Sequence, residues 1–115
     1  MKNRERIQER FLKDPLPVRL GGLAADLRRI SSAARRTTGA EHVALMLEES
    51  QYFIEWSAKD MQPEAAEELV QIQVMLALWK RSWPIVQQNP AQRTLLSFQS
   101  RQWSDRVLQL AGLLE

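Results

Sequence analysis

Cysteine is absent from the 115 residues of the chain, and histidine occurs once. Without cysteine the chain has no disulfide, no catalytic thiolate and no sulfur-ligated metal site. The one histidine, His42, follows Glu41 in a predicted first helical turn. A general acid or base needs further convergent groups, which this pair does not supply. We therefore expect His42 on the surface, and we expect no enzymatic activity.

Long apolar segments are absent as well, and we do not expect a secretory signal. No run approaches the roughly 18 to 20 apolar residues of a membrane helix, and the charged start of the chain leads into no apolar segment. Hydrophobic residues make up 44% and charged residues 26% of the sequence, which is typical of a globular protein. We expect one cytoplasmic domain over residues 1–115, with no membrane partner, in which residues 1–14 form a short basic helix or arm.

Glycine is scarce, with four residues, and most of the proline residues stand where helices should begin. Proline suits a first helical turn because its missing N–H has no helical partner there. The motif Thr-x-x-Glu favours a helix start through reciprocal caps. The start signals are Pro17, the capping box from Thr38 to Glu41, Pro63, and Asn89 followed by Pro90. They predict four helices, over residues 17–36, 39–58, 63–87 and 90–113.

Apolar residues recur within each predicted helix at steps of three and four, and strand-like alternation is absent. The second helix of the chain carries Leu20, Leu23, Leu27, Ile30 and Ala34, and the last carries Leu96, Trp103, Val107, Leu110 and Leu114. Such stripes pack against one another in a bundle, and short connections make neighbouring helices antiparallel. We predict an all-α fold, an antiparallel up-down four-helix bundle with a short extra N-terminal helix.

Counting the N-terminal helix as the first, the third helix (residues 39–58) and the fourth helix (residues 63–87) each carry a second apolar stripe. This stripe lies opposite the one assigned to the core. In the third helix it consists of Leu45, Tyr52 and Trp56, and in the fourth of Val70, Val74, Leu78 and Ile85. A helix that is apolar on two sides is buried on two sides. The N-terminal helix offers few residues as a cover, namely Ile7, Phe11 and Leu12. We therefore favour a second protein molecule as the cover.

This surplus of apolar surface predicts a non-enzymatic interaction or assembly module. Its partner would be a second copy, giving a homodimer, or another cytosolic protein. Tyrosine and tryptophan are enriched in protein interfaces, which fits the composition of the second stripes. The predicted contact residues are Leu45, Tyr52, Trp56, Val74 and Leu78, with Glu48, Glu49 and Glu55 at the rim.

Charge is distributed unevenly, because residues 1–40 carry a net charge of +6 and residues 41–68 one of −7. On the second helix a cationic strip lies opposite the apolar stripe, and it consists of Arg28, Arg29, Arg35 and Arg36. Such a strip can contact phosphates, which makes a nucleic-acid-binding accessory protein the alternative function. The acidic third helix is the competing partner for these arginines, and cations near a helix C-terminus also stabilise its dipole.

No cofactor or metal is expected. Helical bundles that hold two metal ions use Glu-x-x-His pairs, and this sequence contains none. Trp79, Trp83 and Trp103 leave open an enzyme or a small-ligand carrier with a pocket between helices, although large apolar side chains at helical spacing usually belong to the core.

Three runs of the sequence, Asp14 to Ala24, Leu47 to Trp56 and Ser104 to Leu108, resemble a group of small cyanobacterial proteins of uncharacterised function. The resemblance covers nearly the whole chain. It implies a cytoplasmic, all-helical cyanobacterial protein, and it carries over no active-site residue.

Overall fold

The computed structural model describes residues 3–113 and is all-helical over that range. Five α-helices follow one another: α1 (Arg4–Lys13), α2 (Leu16–Ala34), α3 (Ala40–Ala58), α4 (Pro63–Val86) and α5 (Pro90–Leu110). The predicted all-α class is confirmed, and each predicted helix boundary lies within three residues of the observed one. None of the helices in this range is long and apolar enough to cross a membrane.

Local capping explains where several helices begin. Pro63 and Pro90 open α4 and α5 as predicted, and Asn89 Oδ1 accepts a backbone N–H of the first turn of α5 at 3.1 Å. The predicted capping box at Thr38 is wrong, because Gly39 precedes α3 and no side chain caps this start. Gly39 has a φ of 84°, a left-handed conformation that glycine adopts at little cost. The chain uses it to enter α3 from the connection that follows α2.

α2 packs most extensively against α5 and also packs against α3, and α3 in turn packs against α4. The interface between α4 and α5 is the least extensive of these four. The predicted apolar stripe of α2 is buried at every position, Leu20, Leu23, Leu27, Ile30 and Ala34. In α5, Leu96 and Val107 are buried, while Trp103 and Leu110 are half-buried. Leu114 lies outside the described residues.

Serine side chains bond α2 directly to the backbone of α5. Ser31 Oγ donates to the Ser97 carbonyl at 2.7 Å, and Ser97 Oγ donates to the Ser31 carbonyl at 2.7 Å. Further along the interface, Ser104 Oγ donates to the Ala24 carbonyl at 2.8 Å. All three hydroxyls are buried, and because each has a hydrogen-bond partner their burial costs little. Such short side chains reach a neighbouring backbone only when the two helices lie close together.

A buried arginine joins the ends of three helices. Arg19 Nε donates to the Asp14 carbonyl at 3.1 Å. Its Nη1 donates to the Trp56 carbonyl at 3.3 Å and to Asp60 Oδ2 at 3.0 Å. The turn between α1 and α2 is thereby fixed to the C-terminal end of α3. α1 itself has no buried residue, and it packs through the half-buried side chains of Ile7, Phe11 and Leu12.

Ser31→Val should lower the free energy of unfolding by about 1 to 3 kcal/mol, because a larger branched side chain overfills the interface between α2 and α5. The matched control is the adjacent Ser32→Val, on an exposed position, for which a change of about 0.5 kcal/mol or less is expected. Urea unfolding followed by circular dichroism measures both. Equal destabilisation by the two variants would contradict the close packing of α2 on α5.

Candidate functional site

The second apolar stripe of α3 is largely covered by α1. The Phe11 ring stacks on Phe53 at 4.3 Å between centroids and lies 5.7 Å from Trp56. Trp56 is only 6% exposed. The half-buried Tyr52 stacks against Trp56 at 5.6 Å, and the Arg4 guanidinium lies 4.2 Å from the centroid of the Tyr52 ring.

The prediction that Trp56 belongs to an outer contact surface is therefore wrong, and Tyr52 is only partly accessible. One aromatic residue of α1, Phe11, reaches both Phe53 and Trp56, so a short helix covers more of α3 than its number of apolar residues suggested. A substitution such as Trp56→Asp would remove a buried side chain and destabilise the fold, rather than report on assembly. Of the predicted contacts on α3, only Leu45 remains exposed.

The second apolar stripe of α4 is exposed along its whole length. Val70, Val74, Leu78 and Ile85 are between 43% and 78% exposed. The opposite side of the helix is buried through Leu69, Ile72, Leu76, Trp83 and Val86. No other described helix covers this stripe, so α4 presents apolar surface to its surroundings. We call Val70, Val74, Leu78 and Ile85 the α4 stripe.

Beside the α4 stripe, a shallow cavity of about 210 Å³ separates α4 from α5. Leu78, Trp79 and Gln92 are among its lining residues. Leu95 and Phe98 lie three and six residues beyond Gln92 in α5, and both are exposed. These two residues are not among the contacts predicted from the sequence. Their exposure could have been predicted, because both positions fall outside the core stripe of α5 at helical spacing.

The charged residues near the α4 stripe differ in whether they are paired within the chain. Glu68 accepts two hydrogen bonds from Arg106, at 2.7 and 2.6 Å, and these bonds lower the pKa of the Glu68 carboxyl. Lys80 Nζ lies 3.2 Å from Glu48 Oε2, so Glu48 is paired with a residue of its own chain and not placed at the rim of a contact surface. Of the other predicted rim residues, Glu55 is exposed and Glu49 is half-buried.

The predicted arginine strip is exposed, but half of it is paired. Arg28 lies 3.2 Å from Asp105 and Arg29 lies 2.7 Å from Asp26. The expected competition from acidic α3 is therefore wrong, since these carboxylates belong to α5 and α2. Arg35 and Arg36 are exposed, and neither has an acidic partner within residues 3–113. A cavity of about 360 Å³ is lined by Arg28, Arg29, Ser32, Ala33, Arg36, His42 and Met46.

Asp26 is the one buried carboxyl of the described core. Its Oδ1 is paired with Arg29 at 2.7 Å, whereas Oδ2 is buried without a hydrogen-bond partner in the described chain. Burial, with a further contribution from the nearby Glu49 carboxylate, raises the pKa of Asp26 to about 6, and Arg29 opposes this rise. Ionisation of Asp26 therefore costs more in the folded chain than in the unfolded chain.

The three tryptophans considered for a ligand pocket serve the packing of the helices. Trp83 is buried and its Nε1 donates to the Ala40 carbonyl at 2.8 Å. Trp79 is half-buried and donates to Gln99 Oε1 at 2.9 Å. The half-buried Trp103 borders a separate shallow cavity of about 250 Å³ on the surface between α4 and α5. Neither cavity brings a set of unpaired polar groups into a deep pocket, which small-ligand sites usually have.

No group of histidine, cysteine and carboxylate side chains that could hold a metal ion occurs among the residues that the structure describes. His42 is exposed, as expected from its position in the first turn of α3. No family model, curated protein or solved structure matches the chain. The resemblance to the cyanobacterial proteins therefore stays a prediction.

Asp26→Asn should stabilise the protein at pH 7.5 by about 1 to 3 kcal/mol, because it removes the cost of ionising a buried carboxyl. The pKa of Asp26 is raised from 3.8 to about 6 on folding. Its contribution to stability is therefore complete below about pH 4 and is lost as the pH rises through 6. Urea unfolding at pH 4.5 and 7.5 should show that the variant gains more at the higher pH.

Asp105→Asn is the matched control, because Asp105 is paired with an arginine at a partly exposed position and should change stability by about 1 kcal/mol or less. A loss of stability for Asp26→Asn that is equal at both pH values would contradict this account of Asp26.

Proposed function

We propose that the chain is a non-enzymatic protein-interaction module that forms a homodimer through the outer surface of α4. The observation that carries the proposal is the exposure of four large aliphatic residues in one row on α4. Contiguous apolar surface on a folded protein usually marks an interaction site. Leu95 and Phe98 of α5 are further exposed apolar residues. The contact residues are thus Val74 and Leu78 from the sequence prediction, with Leu45 as a separate candidate on α3.

We also propose that α2 to α5 form an antiparallel up-down bundle with α1 packed on its outside. The short connections between successive helices and the packing of α2 on α3 and α5, and of α3 on α4, support this arrangement. A cytoplasmic location is part of the proposal, and the absence of cysteine is in keeping with it.

Val74→Asp should convert the homodimer to a monomer without loss of helix, because a charge at the interface would have to be desolvated without a partner. Sedimentation equilibrium should give twice the chain mass of 13.3 kDa for the unmodified protein and the single-chain mass for the variant. Circular dichroism reports the helix content of both.

Val18→Asp is the matched control, because Val18 and Val74 are the same residue type and are both 54% exposed. Val18 lies in α2, which packs mainly on α5 and α3, and it is not part of the α4 stripe, so this variant should remain dimeric. A single-chain mass for the unmodified protein at the highest attainable concentration would overturn the proposed homodimer.

A second candidate function is nucleic-acid binding through the arginine strip. It is favoured by the cavity that Arg28, Arg29, Arg36 and His42 line together, because phosphates bind where several cationic side chains converge. The acidic partners of Arg28 and Arg29 weigh against it, since they already neutralise half of the strip. We therefore keep it second to protein interaction.

If the strip binds nucleic acid, affinity for a labelled duplex or single strand should fall at least about tenfold between 50 and 200 mM salt. Arg35→Glu together with Arg36→Glu should weaken binding further, and fluorescence anisotropy measures both effects. Arg101→Glu, on an exposed arginine of α5, is the control. Absence of binding at 50 mM salt would exclude this function for the nucleic acids tested.

A further inference from the structure

Two opposite charges flank the middle of the α4 stripe. Glu67 and Arg81 are both exposed, and neither forms an ion pair with another residue of the described chain. Two other charged residues of α4, Glu68 and Lys80, are paired within the fold. Glu67 and Arg81 are thus charges that a second molecule can pair with.

The positions of these residues place them on one side of α4. Glu67, Val70, Val74, Leu78, Arg81 and Ile85 follow one another at steps of 3, 4, 4, 3 and 4. Residues at such steps lie on one side of a helix and form the contact line of paired helices. Glu67 and Arg81 are 14 residues apart, which is about 21 Å along the helix. Val74 lies midway between them.

From this arrangement we propose that two copies pair their α4 helices antiparallel about a two-fold axis that passes close to Val74. In this register Glu67 of each copy lies opposite the partner's Arg81, so that two ion pairs enclose an apolar contact. Val70 lies opposite the partner's Leu78, and Val74 packs against its own counterpart. The inference rests on the homodimer proposed above and specifies its direction and register.

The charges of Glu67 and Arg81 favour this register over a parallel pairing and over an antiparallel pairing centred on Leu78. A parallel pairing would place Glu67 against the partner's Glu67 and Arg81 against the partner's Arg81, and like charges at an interface disfavour it. An antiparallel pairing centred on Leu78 would place Arg81 opposite the partner's Met75 and would put Glu67 beyond the end of the partner's α4, at Val86. Only the axis near Val74 gives both charges an opposite partner.

The apolar and charged residues have different roles in this pairing. The α4 stripe removes apolar surface from water and so supplies the affinity. Exposed ion pairs contribute little affinity in water, but they decide which orientation and which partner are accepted. α4 has 24 residues and is about 36 Å long, so it can accommodate the whole register from Pro63 to Ile85.

The test reverses the charge at Glu67, at Arg81, or at both positions. Glu67→Arg and Arg81→Glu should each weaken self-association by at least about tenfold at low salt, because each variant sets like charges against each other twice. An equimolar mixture of the two variants should form a heterodimer, in which both ion pairs are complementary again. The double variant with both substitutions should form a homodimer as the unmodified chain does. Native mass spectrometry separates the species by mass, and sedimentation gives their affinities.

Glu64→Arg is the matched control, because it makes the same charge change one turn earlier in α4, at a position that faces the partner's Pro84 in this register and not a charged residue. Circular dichroism confirms that each variant remains helical. If the unmodified protein is dimeric and every charge variant dimerises as Glu64→Arg does, the register is overturned while the homodimer stands. Two weakened single variants that form no heterodimer on mixing would also overturn the register. An unmodified protein that stays monomeric would overturn both proposals.

Discussion

The close approach of α2 to α5 is the constraint on which the rest of the structure depends. Ser31 and Ser97 each donate to the other's carbonyl, which brings the two helix backbones together and fixes their register along the axis. A hydroxyl bonded in this way is satisfied without water, so the interface can be both polar and dry. Because α2 also packs on α3, the register that α5 takes on α2 decides how α4, which packs on α3, meets α5.

The opposite side of the molecule is built from larger side chains and is packed less tightly. Trp79 bonds to Gln99, and Arg106 bonds to Glu68, so α4 and α5 are joined by long side chains rather than by backbone contact. Shallow cavities remain between them. The difference between a tight and an open interface follows from residue size along the two sides of α5, and Leu78 of the α4 stripe lines one of the openings. The candidate interaction surface thus borders the more open of these two interfaces.

Much of the fold could be predicted from the sequence because its signals are local. Proline at Pro63 and Pro90 and the cap at Asn89 act within one turn of a helix, and the stripe of α2 depends only on helical periodicity. The position of α1 depends on the direction in which the chain leaves the turn after Asp14, which Arg19 fixes through residues about 40 positions away. For that reason the sequence predicted the exposure of the α4 stripe correctly and that of Trp56 incorrectly. The burial of Asp26 was missed because a charged residue next to an apolar stripe is usually exposed.

The aromatic cluster of α3 is covered by α1, and α1 is held to the rest of the protein by little buried surface. The burial of the cluster therefore depends on α1 staying in place. Free energies of local opening vary within one protein, and elements with little buried surface open first. α1 has no buried residue, so we expect it to open before the other helices and thereby to uncover Tyr52, Phe53 and Trp56. Proteolysis near the N-terminus, or a fusion that displaces α1, would then expose a second apolar surface in addition to the α4 stripe. The number of apolar surfaces that the protein exposes would therefore depend on whether α1 is in place.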